Sequence, residues 1–268
     1  MKSTELKNVL KGIYRRLTSK FDRNFNLVAL KAKIQANLSK IPSKTFLMDC
    51  HLHTRASDGK LSAQEYYQIG RAILGERFLF TTTDHEILTN FTQTHLWGVE
   101  LNCKTASLHR MLGGFAHILS YFEDKPQNFT AQRYRYLKPI QVIQEIQSHE
   151  GIAVLAHIFA IGGTCQPEVL ETCDALELNA ILPGWINRKI LQWAKEYKKP
   201  VIAGSDAHNL KHFFDGFTIF SQSTNLLDQI RKNKIQTCTN VSYDRLIPYY
   251  PLNLPSAMYK MIFRNDLL

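Results

Sequence analysis

The run DCHLHTRASDG at residues 49–59 holds an acid, two histidines two residues apart and a second acid before a glycine. TTDHE at 82–86, AH at 156–157 and GSDAHN at 204–209 share its character, each placing His or Asp directly after an apolar run. Side chains two apart on a strand project from one face, so Asp49, His51 and His53 form one comb of donors, and Asp206 with His208 a second. Imidazole and carboxylate groups so arranged suit Zn²⁺, Mn²⁺ or Fe²⁺, and the lack of a thiolate cluster argues against a purely structural zinc site. Glu100 in GVELN, His117 in FAHIL and His157 in LAHIF lie within or at the end of apolar runs, where an unpaired polar group is costly to bury. The donors outnumber the needs of one ion. Their types and count predict a multinuclear hydrolytic centre.

Such donors need elements to hold them. Strand-like runs occur at 45–53, 77–85, 96–103, 114–122, 152–158, 175–180 and 200–208, with helical patterns between them. Ser62 followed by Glu65 predicts a capping box for a helix reaching about Leu74. Pro139 opens a second helix that Gly151 closes, and Asn187 caps a third that Pro200 ends. Strands alternating with helices predict a mostly parallel sheet, and seven such units predict a closed or nearly closed barrel. The candidate donors fall at or just after strand ends, the face on which such barrels build their sites.

The ordered elements H-x-H-T-x-x-S-D-G, T-D-H, G-x-E, A-H and G-S-D-A-H run from about residue 47 to 220. They make the chain resemble the PHP (polymerase and histidinol phosphatase) domain family, especially its free-standing phosphoesterase members. The resemblance implies a distorted TIM-like (β/α)₇ barrel with up to three divalent metal ions. It also implies metal-dependent hydrolysis of phosphate esters by a metal-activated water. Carried over residue by residue, it puts one ion on His51, His53, Glu100 and Asp206. A second shares Glu100 and adds His117 and His157, and a third takes Asp58, His85 and His208. Asp49 and Asp84 are implied to orient ligand histidines, while His85 and His208 are expected to stand close enough to assist proton transfer. The chain departs from the family pattern at Ile158, where Pro is usual, and at Glu86, where Asp is common.

The formal charge of +10 is uneven: residues 1–44 hold 11 Lys/Arg against Glu5 and Asp22, leaving 22 basic and 21 acidic groups in residues 45–268. The basic balance therefore belongs to an N-terminal helical extension, residues 1–44, ahead of a catalytic domain at 45–268. Val9, Leu10, Ile13, Leu17 and Phe21, then Leu27, Leu30, Ile34 and Leu38, predict two amphipathic helices there. Contact with nucleic acid or an anionic surface would run through this segment. The start lacks the apolar core of a secretory signal, no run approaches the roughly 18 apolar residues of a transmembrane segment, and five cysteines include no C-x-x-C pair. A cytoplasmic protein with reduced thiols is expected.

The full ligand set makes a small phosphomonoester the expected substrate, and the roughly forty residues between His117 and His157, fewer than in PHP relatives that insert a small domain there, weaken any transfer of nucleotide or oligonucleotide specificity from them. A 5′-to-3′ exonuclease or oligonucleotide phosphoesterase is the alternative, carried by the basic extension and by RYRYLKP at 133–139. A non-catalytic module that retains metal is the other. His95, His109, His149 and His212 belong to no motif, and Arg55, Arg110 and Lys211 default to solvated charges.

Overall fold

The computed structural model describes residues 27–38, 41–104, 116–158 and 166–239. The first expected helix, His109, Arg110 and Cys165 lie outside them. In chain order the elements are α1 (Leu27–Leu38), β1 (Phe46–Met48), α2 (Ala63–Leu74), β2 (Trp97–Cys103), β3 (Ala116–Phe122), α3 (Pro139–Ser148) and β4 (Ile152–Leu155). They continue as α4 (Pro167–Thr172), β5 (Ala175–Asn179), α5 (Gly184–Glu196), β6 (Val201–Gly204), β7 (Gly216–Phe220), α6 (Leu226–Arg231) and β8 (Ile235–Thr239). No helix among the described residues is long and apolar enough to cross a membrane.

The regular strands form a five-stranded sheet, β2-β3-β4-β5-β6, and a three-stranded sheet, β1-β7-β8, rather than one closed barrel. Nor is the larger sheet mostly parallel: β3 runs antiparallel to both β2 and β4, and only β4-β5-β6 are parallel. The expected strand at 77–85 is an extended segment that meets its neighbours at single bridges, Leu47 to Phe78 and His85 to Glu100. Threonine hydroxyls explain the missing ladder. The Leu52 N–H donates to Thr83 Oγ1 at 2.9 Å, and Thr81 Oγ1 donates to the Leu96 carbonyl at 2.9 Å, taking places that backbone partners would fill. A third bridge, Leu52 to Ala207, ties the chain beyond β1 to the chain beyond β6.

Three apolar clusters hold these layers. Met48, Leu119, Tyr121, Val154, Ile202 and Phe220 fill the space between the sheets. Val99, Ile118, Ile143, Leu155, Leu176 and Ile190 join the larger sheet to α3 and α5. Around α2, Tyr66, Phe78, Phe80, Phe213 and Phe217 take up Leu30 and Ile34 from α1, so the second expected amphipathic helix buries its apolar face against the body. Each fully buried side chain of this size contributes roughly 1.5–3 kcal/mol. Lys33 Nζ also pairs with Asp215 Oδ1 at 2.5 Å.

The expected capping box is present on α2: the Ser62 hydroxyl accepts from the Glu65 N–H, and the Ser62 N–H donates to Glu65 Oε2 at 2.8 Å. Asn187 does not cap α5. That helix starts three residues earlier, behind Pro183, and Asn187 lies inside it with Nδ2 donating to the Asn179 carbonyl at 3.1 Å. Pro183 is the N-cap, with φ −55° and ψ 147°, and its carbonyl starts the helix by accepting the Asn187 N–H at 3.1 Å. Neither α4, α6, β7 nor β8 was predicted; each is short, and the two strands carry little alternation. Cys50, Cys103 and Cys173 are buried free thiols.

Candidate metal centre

Nine predicted donors converge where the two sheets face each other. Glu100, in the middle of β2 and 1% exposed, is the hub. Its Oε2 lies 3.2 Å from His51 Nε2, 3.1 Å from His53 Nε2 and 3.3 Å from His85 Nδ1. Its Oε1 lies 2.7 Å from His117 Nδ1 and 3.1 Å from His157 Nε2. Asp206 Oδ1 joins the first group, 3.2 Å from His53 Nε2 and 3.5 Å from His51 Nε2. At the rim, Asp58 Oδ2 stands 3.0 Å from His208 Nε2 and 3.8 Å from His85 Nε2, and its Oδ1 is 3.6 Å from His53 Nδ1.

Chain direction explains the convergence. His51 and His53 follow β1, Asp206 and His208 follow β6, and His157 follows β4. His117 sits at the start of β3 instead of a strand end, yet β3 is antiparallel, so its start lies beside the end of β4 and the Ala156 N–H reaches the His117 carbonyl at 3.4 Å. Two residues near the centre take backbone conformations that side chains rarely adopt, His157 with φ 24° and Asp206 with φ 52°. Such strain persists where surrounding contacts over-determine it.

The donor set fits divalent ions. Four overlapping groups each bring three or four donor atoms within 4.8 Å of one another: His53, Asp58, His85 and His208; His51, His53 and Asp206; His51, Glu100 and His157; His85, Glu100 and His117. Ligands about 2.1 Å from one ion stand about 3.0–3.4 Å apart, close to the spacings around Glu100. Nδ1 of His53 and Nδ1 of His85 are buried without a hydrogen-bond partner, as donors awaiting a cation would be.

Electrostatics point the same way. Burial disfavours ionised Glu100, yet His117 and His51 hold its pKa well below the ordinary carboxylate value, and His51 and His53 do the same for Asp206. Burial likewise disfavours charge on His51 and His53. Glu177, Asp206 and Glu100 nevertheless hold His51 well above the usual imidazole range, and hydrogen bonds to Asp206 and Glu100 lift His53 to about 9. Buried carboxylates are thus kept ionised by clustered positive charge. His85 moves the other way, lowered chiefly by burial. His51 and His53 are fully enclosed, while His85, His117, His208 and Asp58 form the solvent-facing edge.

Asp49 and Asp84 act by another route than expected. Asp49 accepts the N–H groups of His51, Ser205 and Phe214 and the Ser205 hydroxyl, so it sets the chain path on both sides of the centre instead of gripping an imidazole. Asp84 accepts the Thr54 N–H at 2.6 Å and the hydroxyls of Thr54, Ser57 and Thr89, which ties down the loop carrying Asp58. Arg55 is turned to the Lys60 carbonyl at 2.8 Å and to Glu65, away from the donors. His95 accepts from the Phe80 N–H, and His212 pairs with Asp215 at 3.0 Å, both ordinary structural roles.

Sequence reasoning missed Glu177. It is fully buried in β5, with Oε1 2.8 Å from His51 Nδ1. A lone carboxylate in the apolar run ALELNA was the available signal. Asn179, at the end of β5, donates from Nδ2 to Glu177 Oε2 at 3.0 Å. Asn102 is half-buried on β2 directly opposite His117.

Fold and site together define a mixed α/β protein with a candidate multinuclear metal centre. A family model described as PHP-associated matches residues 184–235. Among solved structures, PsfC from Pseudomonas syringae is similar with TM-score 0.54 and 16% identity, over 84% of this chain and 99% of its own. A two-domain protein from Bacteroides vulgatus containing a predicted PHP-like metal-dependent phosphoesterase is similar with TM-score 0.51 and 14% identity, over 76% of this chain and 68% of its own. No curated protein matches the sequence. The family model covers only residues 184–235, and the solved structures, at 14–16% identity, share the fold.

Proposed function

We propose that this chain is a metal-dependent phosphoesterase acting on a small phosphomonoester. The observation that carries this reading is Glu100, whose two oxygens face separate sets of imidazoles, His51, His53 and His85 on one side and His117 and His157 on the other. One carboxylate shared between two donor groups supports a multinuclear centre. Up to three divalent ions, Mn²⁺, Zn²⁺ or Fe²⁺, would be held by His51, His53, Glu100 and Asp206, by Glu100, His117 and His157, and by Asp58, His85 and His208. Such ions, when bound, acidify water and offset the charge of a phosphoryl group.

The chain's own residues divide the remaining work. The enclosed inner wall of His51, His53, Glu100 and Asp206 excludes solvent and keeps the donors fixed. The half-exposed rim admits the ester. There His85 and His208 have Nε2 near Asp58 Oδ2, and either could take or return a proton when that nitrogen is not holding the third ion. Burial first lowers the pKa of His85, which favours its neutral ring. The bridges at Leu47–Phe78, His85–Glu100 and Leu52–Ala207 support reading the two sheets as a distorted barrel around this centre.

The test is phosphate release by Mn²⁺-loaded protein from matched phosphomonoesters, phosphopeptides and short 5′-phosphorylated RNA, beside His157→Ala and Asp206→Asn. Release from a small monoester, lost in both variants, is the expected result. Release of mononucleotides from RNA would replace the substrate class, and no turnover despite bound ion would make the chain a metal-retaining binding module.

A further inference from the structure

Glu177 belongs to none of the donor groups and to none of the motifs, yet it touches two of those groups at once. Its Oε1 lies 2.8 Å from His51 Nδ1, and its Oε2 accepts the backbone N–H of His157 at 2.7 Å. An ionised carboxylate can only accept, so its contact with His51 requires a hydrogen on Nδ1. The other ring nitrogen, Nε2, stands in the donor group 3.2 Å from Glu100 and 3.5 Å from Asp206, so an ion binding there would displace the Nε2 proton while the Nδ1–H stays on Glu177. The second oxygen pins the chain at His157, where φ is 24°.

Glu177 is itself held. Asn179 Nδ2 donates to Oε2 at 3.0 Å, and the Asn179 amide is oriented because its Oδ1 accepts the Ile181 N–H at 2.9 Å. Across the β5–β6 pairing Gly204 stands opposite Asn179, and a Cβ there would lie 2.8 Å from Glu177 Oε1. The neighbouring strand therefore leaves space for this carboxylate.

We propose that Glu177 is the positioning residue of the metal centre: it selects the His51 tautomer that presents Nε2 to an ion and holds the backbone at His157. Carboxylates that fix a ligand histidine in this way typically govern ion affinity 10–100-fold. The inference rests on the metal-centre reading above.

The test titrates full-length protein with Zn²⁺ alone, comparing wild type with Glu177→Ala, Glu177→Gln, His51→Ala and the double variant Glu177→Ala/His51→Ala. Glu177→Ala should bind Zn²⁺ about 10–100-fold more weakly while keeping its far-UV circular dichroism. Glu177→Gln keeps one acceptor for His51 but sets an amide NH₂ against the His157 N–H, so its affinity should fall between, and it carries the test if the Ala variant does not fold. Because Glu177 acts in part through His51, the losses in the double variant should be clearly less than additive. In ¹⁵N spectra of the Zn²⁺-loaded protein a slowly exchanging His51 Nδ1–H should appear in wild type and be lost in Glu177→Ala. Wild-type affinity in a folded Glu177 variant, or fully additive losses in the double variant, would overturn the inference. A wild type that binds no Zn²⁺ would instead sink the metal-centre reading beneath it.

Discussion

Replacing Gly204 with Ala puts a methyl group into the wall behind His51. The added Cβ would stand 2.3 Å from His51 Cβ, 2.7 Å from His51 N and 2.8 Å from Glu177 Oε1. Non-bonded carbons settle about 3.5–4.0 Å apart, so either His51 retreats by roughly 1.2 Å or β6 shifts by as much. Neither move is easy. The obstructing atoms are at the root of a side chain and in the backbone, and the His51 N–H is already bonded to Asp49. Metal sites hold their ligand distances to about 0.2 Å, so a retreat of this size takes His51 Nε2 out of its donor group. The expected loss is about 10–100-fold in Zn²⁺ affinity, together with about 1–3 kcal/mol of stability from overpacking. Ion titration and thermal unfolding with and without Zn²⁺ read the two effects separately. Gly184→Ala serves as the control, since its Cβ would meet only Arg188 Nη1 at 3.8 Å. Wild-type affinity and unfolding temperature in Gly204→Ala would refute the reasoning, because the wall would then be loose enough to absorb a methyl group.

Three further predictions follow from the same geometry. A divalent ion at 100 times its dissociation constant should stabilise the fold by about 2.7 kcal/mol, raising the unfolding temperature by about 5–10 °C, and a chelator or Asp206→Asn should abolish the shift. In the chelated protein His53, lifted to about 9, contributes stability that is complete below its unfolded value near 6.5 and is lost as pH rises through 9. Chelated protein should therefore melt progressively lower between about pH 6.5 and 9, and a flat profile there would contradict the assigned charge state of the cluster. Ile34→Ala should cost about 2–5 kcal/mol in denaturant unfolding, since Ile34 is buried among α2 and β7 residues; a loss below about 1 kcal/mol would show that α1 is not seated on the body.

Much of the centre was legible before any coordinates. The two-residue spacings in DCHLH and SDAH singled out His51 with His53 and Asp206 with His208, although β1 ends at Met48 and β6 at Gly204, so these residues lie just beyond the strands that the spacing implied. Local rules also marked α2 through Ser62 and Glu65 and the start of α3 through Pro139. These features depend on neighbours a few residues away, and a linear chain displays them.

The tertiary structure decided what depends on distant partners. Only the antiparallel run of β3 brings His117 to the same end as His157, and only the Thr81 and Thr83 side chains reveal why residues 77–85 make bridges where a strand was expected. The roles of Asp49, Asp84 and Glu177 were equally invisible. A carboxylate's partner is set by which loop folds over it, as Phe214 does over Asp49 and His51 over Glu177. Residue types and spacing thus determined the chemistry available to this protein. Strand direction and long-range hydrogen bonds determined which groups share an oxygen of Glu100, because sequence carries no record of contacts a hundred residues apart.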